Sequence, residues 1–185
     1  MPFYFGLDLG QISDPSASVI LEARGDGDER TFDCRHIEPY KLGTSYPAMV
    51  KAVQTLLARE PLAGDCRLAI DHTGVGRPVF DMFVEAELRP IGITITGGTQ
   101  WHKETWHQWH VSKIQLVSQV QRYLQSGRLR IGAKLPHAAT LQELRDFRVK
   151  ISKAANETYD AREGAHDDLV LALAIALFVA QHPIA

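Results

Sequence analysis

Two aspartates end apolar segments of the sequence. Asp8 lies near the end of the aromatic and aliphatic segment 3–9, and Asp71 follows Leu68-Ala69-Ile70. A buried carboxylate is costly unless it is paired, hydrogen-bonded or bound to a metal. Each aspartate alone is also typical of a turn or a cap. Two strands that each deliver a carboxylate at a C-terminal end predict a site at that edge of a sheet.

A third acidic element, His166-Asp167-Asp168, comes directly before the apolar segment 169–177. A helix that is apolar nearly all round must be buried, so it carries its N-terminal acids to the edge of the core. A helix N-cap accounts for one of these acids, because aspartate complements the helix dipole there. Two adjacent aspartates repel each other, so the second favours a divalent cation that neutralises both.

The charge of the chain is unevenly distributed. The formal net charge is -2, but residues 99–153 carry 10 Lys and Arg against 3 Asp and Glu. The flanking segments 1–98 and 154–185 are acidic. A basic segment suits contacts with phosphates, and acidic segments suit divalent cations; a solvated basic helix face is the alternative for the middle segment. The two cysteines lack CxxC spacing and predict free thiols.

Hydrophobic periodicity predicts an alternation of strands and helices. The predicted strands cover residues 3–9, 16–23, 31–37, 66–71 and 91–95. The predicted helices cover residues 48–59, 77–88, 111–125, 139–147 and 167–181. The first three strands are joined by short polar turns, which predicts an antiparallel meander. The order of elements predicts one α/β domain over residues 1–185, a mixed sheet with helices on its faces.

All three tryptophans lie in the segment 101–110, where they are interleaved with histidines and Lys103. This composition favours a DNA-contacting loop or a contact with a partner domain, and burial of the tryptophans in the core is the alternative. His107 and His110, at i and i+3, would suit zinc on a helix, but no acidic or cysteine partner completes a set. From Phe147 to Lys153 charges alternate with apolar residues, which predicts a basic hairpin able to grip duplex DNA.

Four pieces of the sequence occur in the order of a known family. They are 5–10 with Asp14-Pro15-Ser16-Ala17, then Ile70-Asp71-His72-Thr73-Gly74-Val75-Gly76, then Val111-Ser112-Lys113 with the helix that leads to Gly127-Arg128-Leu129-Arg130-Ile131, and last Gly164-Ala165-His166-Asp167-Asp168. The chain resembles the C-terminal nuclease domain of the large terminase subunit of tailed bacteriophages, in the ribonuclease H-like superfamily. Each piece is short, but four in register span nearly the whole chain.

The resemblance implies a ribonuclease H-like mixed sheet, an antiparallel meander plus parallel strands, with helices on both faces. It implies an endonuclease that cuts concatemeric double-stranded DNA during genome packaging with two Mg²⁺ or Mn²⁺ ions. Its metal ligands would be Asp8, Asp71, Asp168 and Asp167, with Asp168 preferred over Asp167 because it lies further into the helix. The implied partners are a packaging ATPase domain, a small terminase subunit and a portal, in the cytoplasm of an infected bacterium and without a membrane.

Further residues are candidates for contacts beside the acids, and of these Lys113 rests mainly on the resemblance. Lys113 would face the scissile phosphate, although a solvent-exposed lysine is the alternative. The additional DNA contacts would be Lys103, Arg148 and Lys150. The residues around the metals would be Asp14, Thr73 and His166, although Asp14 also suits a turn.

The sequence departs from the family at two points. Many relatives carry an additional acid where this chain has Leu171, and the chain has no GxxxxGK[ST] loop, so it is not itself the packaging motor. The alternative functions are a nuclease of the Holliday-junction resolvase type and an inactive module that binds DNA or a partner.

Overall fold

The computed structural model describes residues 2–10, 15–74, 76–132, 135 and 167–182. The strands are β1 (Phe3–Asp8), β2 (Ala17–Arg24), β3 (Thr31–Pro39), β4 (Cys66–Asp71), β5 (Ile91–Thr96), β6 (Trp101–Thr105), β7 (Gln108–Ser112) and β8 (Leu129–Ile131). The helices are α1 (Tyr46–Leu57), α2 (Gly76–Glu85), α3 (Lys113–Gln125) and α4 (Asp168–Gln181). None of these described helices is long and apolar enough to cross a membrane.

The described strands form one mixed sheet in the order β6-β7-β5-β4-β1-β2-β3-β8. The first three strands are an antiparallel meander, and β4, β5 and β7 continue the sheet from β1 as parallel neighbours. Strand β6 returns antiparallel along β7, and β8 lies parallel to β3 at the other edge. The predicted α/β fold with a ribonuclease H-like mixed sheet is therefore confirmed.

Alternation along β1 builds a hydrophobic core on each face of the sheet. Phe3, Phe5 and Leu7 join the core beneath α1 and α2, whereas Tyr4 joins the core that contains α3 and α4. Because successive side chains of a strand point to opposite faces, Asp8 belongs to the face that α4 covers. The predicted placement of helices on both faces is also confirmed.

Helix α4 is buried from Asp168 through Ala180, as its apolar sequence predicts. It crosses β1 at Gly6, where an added Cβ atom would stand 2.0 Å from the Ala172 carbonyl oxygen. Only glycine permits this approach, so Gly6 fixes how closely the N-terminal end of α4 lies to the end of β1.

The predicted loop at 101–110 is wrong, because β6 and β7 form an antiparallel hairpin there. The predicted start of the long helix at residue 111 is also wrong. Val111 and Ser112 end β7, and the Ser112 side chain accepts a hydrogen bond from the Gln115 backbone N–H at 3.3 Å, which caps α3. Strand β8 was not predicted, since three residues are too few for a periodic pattern.

The cysteines are free thiols, as predicted. The predicted helix 139–147, the predicted basic hairpin after Phe147 and the residues Asp14, Arg148, Lys150 and His166 lie outside the described residues.

Candidate active site

Asp8 and Asp71 end neighbouring parallel strands. The register pairs Leu7 with Ile70, so the two aspartates that follow stand side by side. Ala69 belongs to the core beneath α4, and the alternation of β4 therefore turns Asp71 toward the same face as Asp8. Their side chains are hydrogen-bonded to each other. The two strand-end acids predicted from the sequence thus meet in one place.

Asp8 is 4% exposed, and its surroundings oppose its negative charge. Burial raises the pKa of Asp8 well above its usual range, and the charges of Asp71, Asp168 and Asp167 raise it further, in that order. The hydrogen bond between Asp8 and Asp71 raises the pKa of Asp8 and acts to lower that of Asp71. The surroundings of Asp8 therefore favour its neutral form, and a cation would relieve the same repulsion.

Thr73 holds the Asp71 carboxylate in place. The Thr73 backbone N–H donates to Asp71 Oδ1 at 2.8 Å, and Thr73 Oγ1 accepts a hydrogen bond from the Ile95 N–H at 2.8 Å. Burial raises the pKa of Asp71, while the hydrogen bonds from Thr73 and the charge of Lys113 oppose that rise. Thr73 thus contacts Asp71, and its place beside a metal stays a prediction.

The turn after β4 depends on Gly76. An added Cβ atom at Gly76 would lie 2.3 Å from the Asp71 carbonyl oxygen, so α2 begins tightly against the strand end. The Gly76 N–H donates to the Thr73 carbonyl at 3.0 Å. This glycine therefore shapes the turn from strand to helix.

The N-terminal end of α4 separates its two acids. Asp168 is 8% exposed and raises the pKa of Asp8 more strongly than Asp167 does. Asp167 occupies the N-cap position, but its side chain makes no capping hydrogen bond. Instead, Asp167 Oδ2 accepts a hydrogen bond from Lys113 Nζ at 2.7 Å. Burial of Asp168 and the contact of Asp167 with Lys113 therefore distinguish the two acids.

Of the predicted basic residues, Lys113 lies close to the acids and Lys103 lies far from them. Lys113 begins α3, and its Nζ atom lies 2.7 Å from Asp167 Oδ2. Lys103 lies on β6, three strands from β4 and so roughly 14 Å away at a spacing of ~4.8 Å per strand. Its ammonium stands 5.2 Å from the centre of the Trp109 ring. Lys103 thus belongs to the hairpin and does not touch the acids.

Sequence reasoning missed a second polar cluster, in which His102, His110 and Glu104 meet on the β6–β7 hairpin. The signal was present as period-two alternation, since Trp101 and Lys103 alternate with His102 and Glu104. The helical spacing i and i+3 predicts His107 as the neighbour of His110 instead.

The fold was compared with solved structures. The large terminase nuclease from the thermophilic phage G20c superposes with a TM-score of 0.63 at 17% identity, over 97% of this chain and 82% of that chain. The human cytomegalovirus terminase nuclease domain, Mn soaked and inhibitor bound, gives 0.57 at 13% identity, over 97% and 82%. This chain has the ribonuclease H-like fold of large terminase nuclease domains.

A third structure extends the match. The g2p large terminase nuclease domain of bacteriophage SPP1, with bound Mn, gives a TM-score of 0.55 at 14% identity, over 99% of this chain and 88% of that chain. No protein-family model and no curated protein sequence matches the chain.

The acids of the terminase-like fold suit hard divalent cations. Asp8, Asp71 and Asp168 supply only carboxylate oxygens, the donors that Mg²⁺ and Mn²⁺ prefer. Among the described residues, no three His, Cys, Asp or Glu side chains are already arranged to hold an ion. The hydrogen bond between Asp8 and Asp71 and the Lys113 pair with Asp167 hold the carboxylates in other contacts. The donor set therefore fits Mg²⁺ or Mn²⁺, whose charge would offset the repulsion among these carboxylates.

Proposed function

We propose that this chain is a metal-dependent DNA endonuclease of the terminase type, which cuts concatemeric viral DNA during packaging. One observation carries the proposal: carboxylates from β1, β4 and α4 converge at one buried edge, where those of Asp71 and Asp168 raise the pKa of Asp8. Carboxylates held together against their own repulsion are the arrangement expected of a cation site. The match to terminase nuclease folds, two of them with manganese, supports the same reaction.

The ligands in this proposal are Asp8, Asp71 and Asp168, and the cations are Mg²⁺ or Mn²⁺. Two such ions, when bound, supply an activated water and stabilise the leaving 3′-oxygen. Asp8 would act as a ligand in its charged form, which a cation would stabilise against the causes that raise its pKa, while the Thr73 backbone N–H holds the Asp71 carboxylate. Asp168 brings the third carboxylate on a helix whose position against β1 is fixed by Gly6.

We assign Lys113 to the phosphate and Asp167 to the positioning of Lys113. The 2.7 Å contact holds the ammonium beside the acids, where its charge already acts on Asp71. A cation at this place suits a phosphodiester oxygen, and Asp167 would then act through Lys113 more than through the metal. Direct ligation by Asp167 is the alternative, and the two roles differ in the size of the effect expected from Asp167→Asn.

The proposed substrate is double-stranded DNA, which the basic segment 99–153 would contact. Within that segment Lys103, Arg148 and Lys150 remain predicted DNA contacts, and Asp14 and His166 remain predicted neighbours of the metals. The partners of this function would be a packaging ATPase domain, a small terminase subunit and a portal.

The test is cleavage of supercoiled plasmid and linear duplex DNA in Mn²⁺ or Mg²⁺ by the wild type and by Asp71→Asn. We expect cleavage by the wild type, loss in EDTA, and a fall of at least about 100-fold in Asp71→Asn, since loss of a group behind a metal ligand already costs 10–100-fold. Asp28→Asn, an exposed acid in the turn between β2 and β3, is the matched control and should keep the full rate.

Equal cleavage by the wild type and Asp71→Asn would show that the assigned site is wrong. Cleavage confined to four-way junctions would replace the terminase function by a resolvase function. Binding of DNA without cleavage under all these metal conditions would indicate an inactive module.

A further inference from the structure

His102 and His110 face each other across the β6–β7 hairpin. They are direct partners in the antiparallel register, and their imidazole rings stack with centroids 4.6 Å apart and planes 8° from parallel. Directly opposed residues of an antiparallel pair have Cβ atoms only ~5 Å apart, so the backbone itself holds these two rings together.

Glu104 completes the cluster from the same strand as His102. Its Oε2 atom lies 2.9 Å from His110 Nε2, and this hydrogen bond is the main cause of a lowered Glu104 pKa. The charge of His102 also lowers that pKa. The carboxylate therefore stands within electrostatic reach of both imidazoles.

We propose that His102, His110 and Glu104 bind one zinc-type transition-metal ion on the hairpin. Imidazole nitrogen and carboxylate oxygen are the ligands that Zn²⁺ takes outside thiolate sites, and three protein ligands with a water in the fourth position make a tetrahedral set. This imidazole cluster, as we name the three residues, is separate from the acids of the proposed nuclease function.

The cluster has room to close on an ion. As they stand, the rings are stacked and no three such side chains among the described residues surround a common point. His102 and Glu104 lie on β6, which is exposed along its whole length, so their side chains can change rotamer without disturbing the core. The ion would replace the hydrogen bond between His110 Nε2 and Glu104 Oε2.

Two features separate the imidazole cluster from the acid site. Trp109 and Val111 point into the core beneath α4, so alternation turns His110 to the opposite face of the sheet. The donors also differ in kind, because nitrogen ligands select zinc-type ions and the all-oxygen set selects Mg²⁺ or Mn²⁺. An ion on the cluster would tie the edge strand β6 to β7.

The test measures Zn²⁺ binding to the full, tag-free chain by competition with a chromogenic chelator. We expect one site whose affinity falls at least about 100-fold in His102→Ala and in His110→Ala, since even groups behind a zinc ligand are worth 10–100-fold. Co²⁺ in place of Zn²⁺ should give a visible absorption band that both variants lose. Because His102 is exposed and His110 is only partly buried, both variants without metal should keep the wild-type circular dichroism spectrum.

His36→Ala is the matched control. His36 Nε2 also contacts a carboxylate, Glu38 Oε2 at 3.3 Å, but its partner across the β2–β3 register is Ile20 and not a second histidine. This variant, and Asp71→Asn in the acid site, should bind Zn²⁺ as the wild type does. Unchanged affinity in both cluster variants, an equal loss in His36→Ala, or loss in Asp71→Asn alone would overturn the proposal.

Discussion

The acid site and the imidazole cluster lie on the same sheet but are built in opposite ways. Asp8, Asp71 and Asp168 come from three elements far apart in the chain and are held at a buried edge. The imidazole cluster lies within nine consecutive residues of one exposed hairpin. Burial makes the acids of this site interdependent, because the charges of Asp71 and Asp168 raise the pKa of Asp8. Exposure leaves the second set screened by water.

The two sites therefore depend on different parts of the fold. The acid site requires the whole fold, since α4 must lie against Gly6 before Asp168 can approach Asp8. The imidazole cluster requires only the register of two adjacent strands. Changes in the core should therefore affect the acid site and spare the hairpin, and the following predictions test that separation.

The largest effect is expected at Asp168. Asp168→Asn should lower the rate of Mn²⁺-dependent cleavage by at least about 100-fold, and Asp167→Asn by about tenfold or less, because a ligand is worth more than the group that positions its neighbour. Single-turnover rates at saturating Mn²⁺ measure both. Equal losses would show that the two acids share the metal. Loss of Zn²⁺ binding by the hairpin in either variant would show that the acid site and the imidazole cluster are not independent.

Gly6→Ala should disturb the acid site through packing. The added Cβ atom has no room against the Ala172 carbonyl, so α4 must shift, at a cost of about 1–3 kcal/mol in the free energy of unfolding. Urea unfolding measures the cost. Gly97→Ala is the control, because a Cβ atom there meets nothing within 4 Å, and it should stay within about 0.5 kcal/mol. A Gly6→Ala protein as stable as the control would contradict the close approach of α4.

Thr73→Val should weaken the acid site without unfolding it. The variant keeps the shape of the side chain but loses the hydroxyl that accepts from Ile95 and contributes to holding Asp71. We expect Mn²⁺ affinity to fall about tenfold, as for groups that orient metal ligands, and Thr73→Ser to restore it. Calorimetric titration with Mn²⁺ measures the change. Failure of the serine variant to restore the affinity would assign the effect to packing.

The smallest effect is expected from Asp8→Asn on stability. The raised pKa of Asp8 means that protonation stabilises the folded metal-free chain, and this contribution is lost as the pH rises through the folded pKa. In EDTA at pH 8, Asp8→Asn should therefore be more stable than the wild type by about 1 kcal/mol, roughly 2–4 °C in melting temperature. The advantage should disappear as the pH falls toward ~4, the ordinary pKa of an aspartate.

If Asp8 is a metal ligand, Mn²⁺ should make the wild type more stable than Asp8→Asn. Mn²⁺ should raise the melting temperature of the wild type and leave Asp8→Asn unchanged, because only the carboxylate is a ligand. A wild type that is already the more stable protein in EDTA at pH 8 would contradict the repulsion among the acids.

The sequence predicted the fold and the strand-end acids because both depend on short-range patterns. Asp8 and Asp71 each close an apolar strand, and parallel strands bring such ends together. The segment 101–110 was predicted as a loop, although it forms the hairpin in which the cross-strand partner of His110 is His102. A period-two pattern over five residues is too short to identify a strand without its partner strand.

Local patterns of the sequence specified strands β1 to β5 and helices α1 to α4, and showed that three of these elements carry acids, since alternation and helical periodicity are local properties of the chain. The contact between Lys113 and Asp167 and the effect of the Asp168 charge on Asp8 depend on the tertiary structure. Lys113 and Asp167 are separated by 54 positions in sequence. Their meeting depends on how α3 and α4 pack against the sheet, which no local pattern encodes.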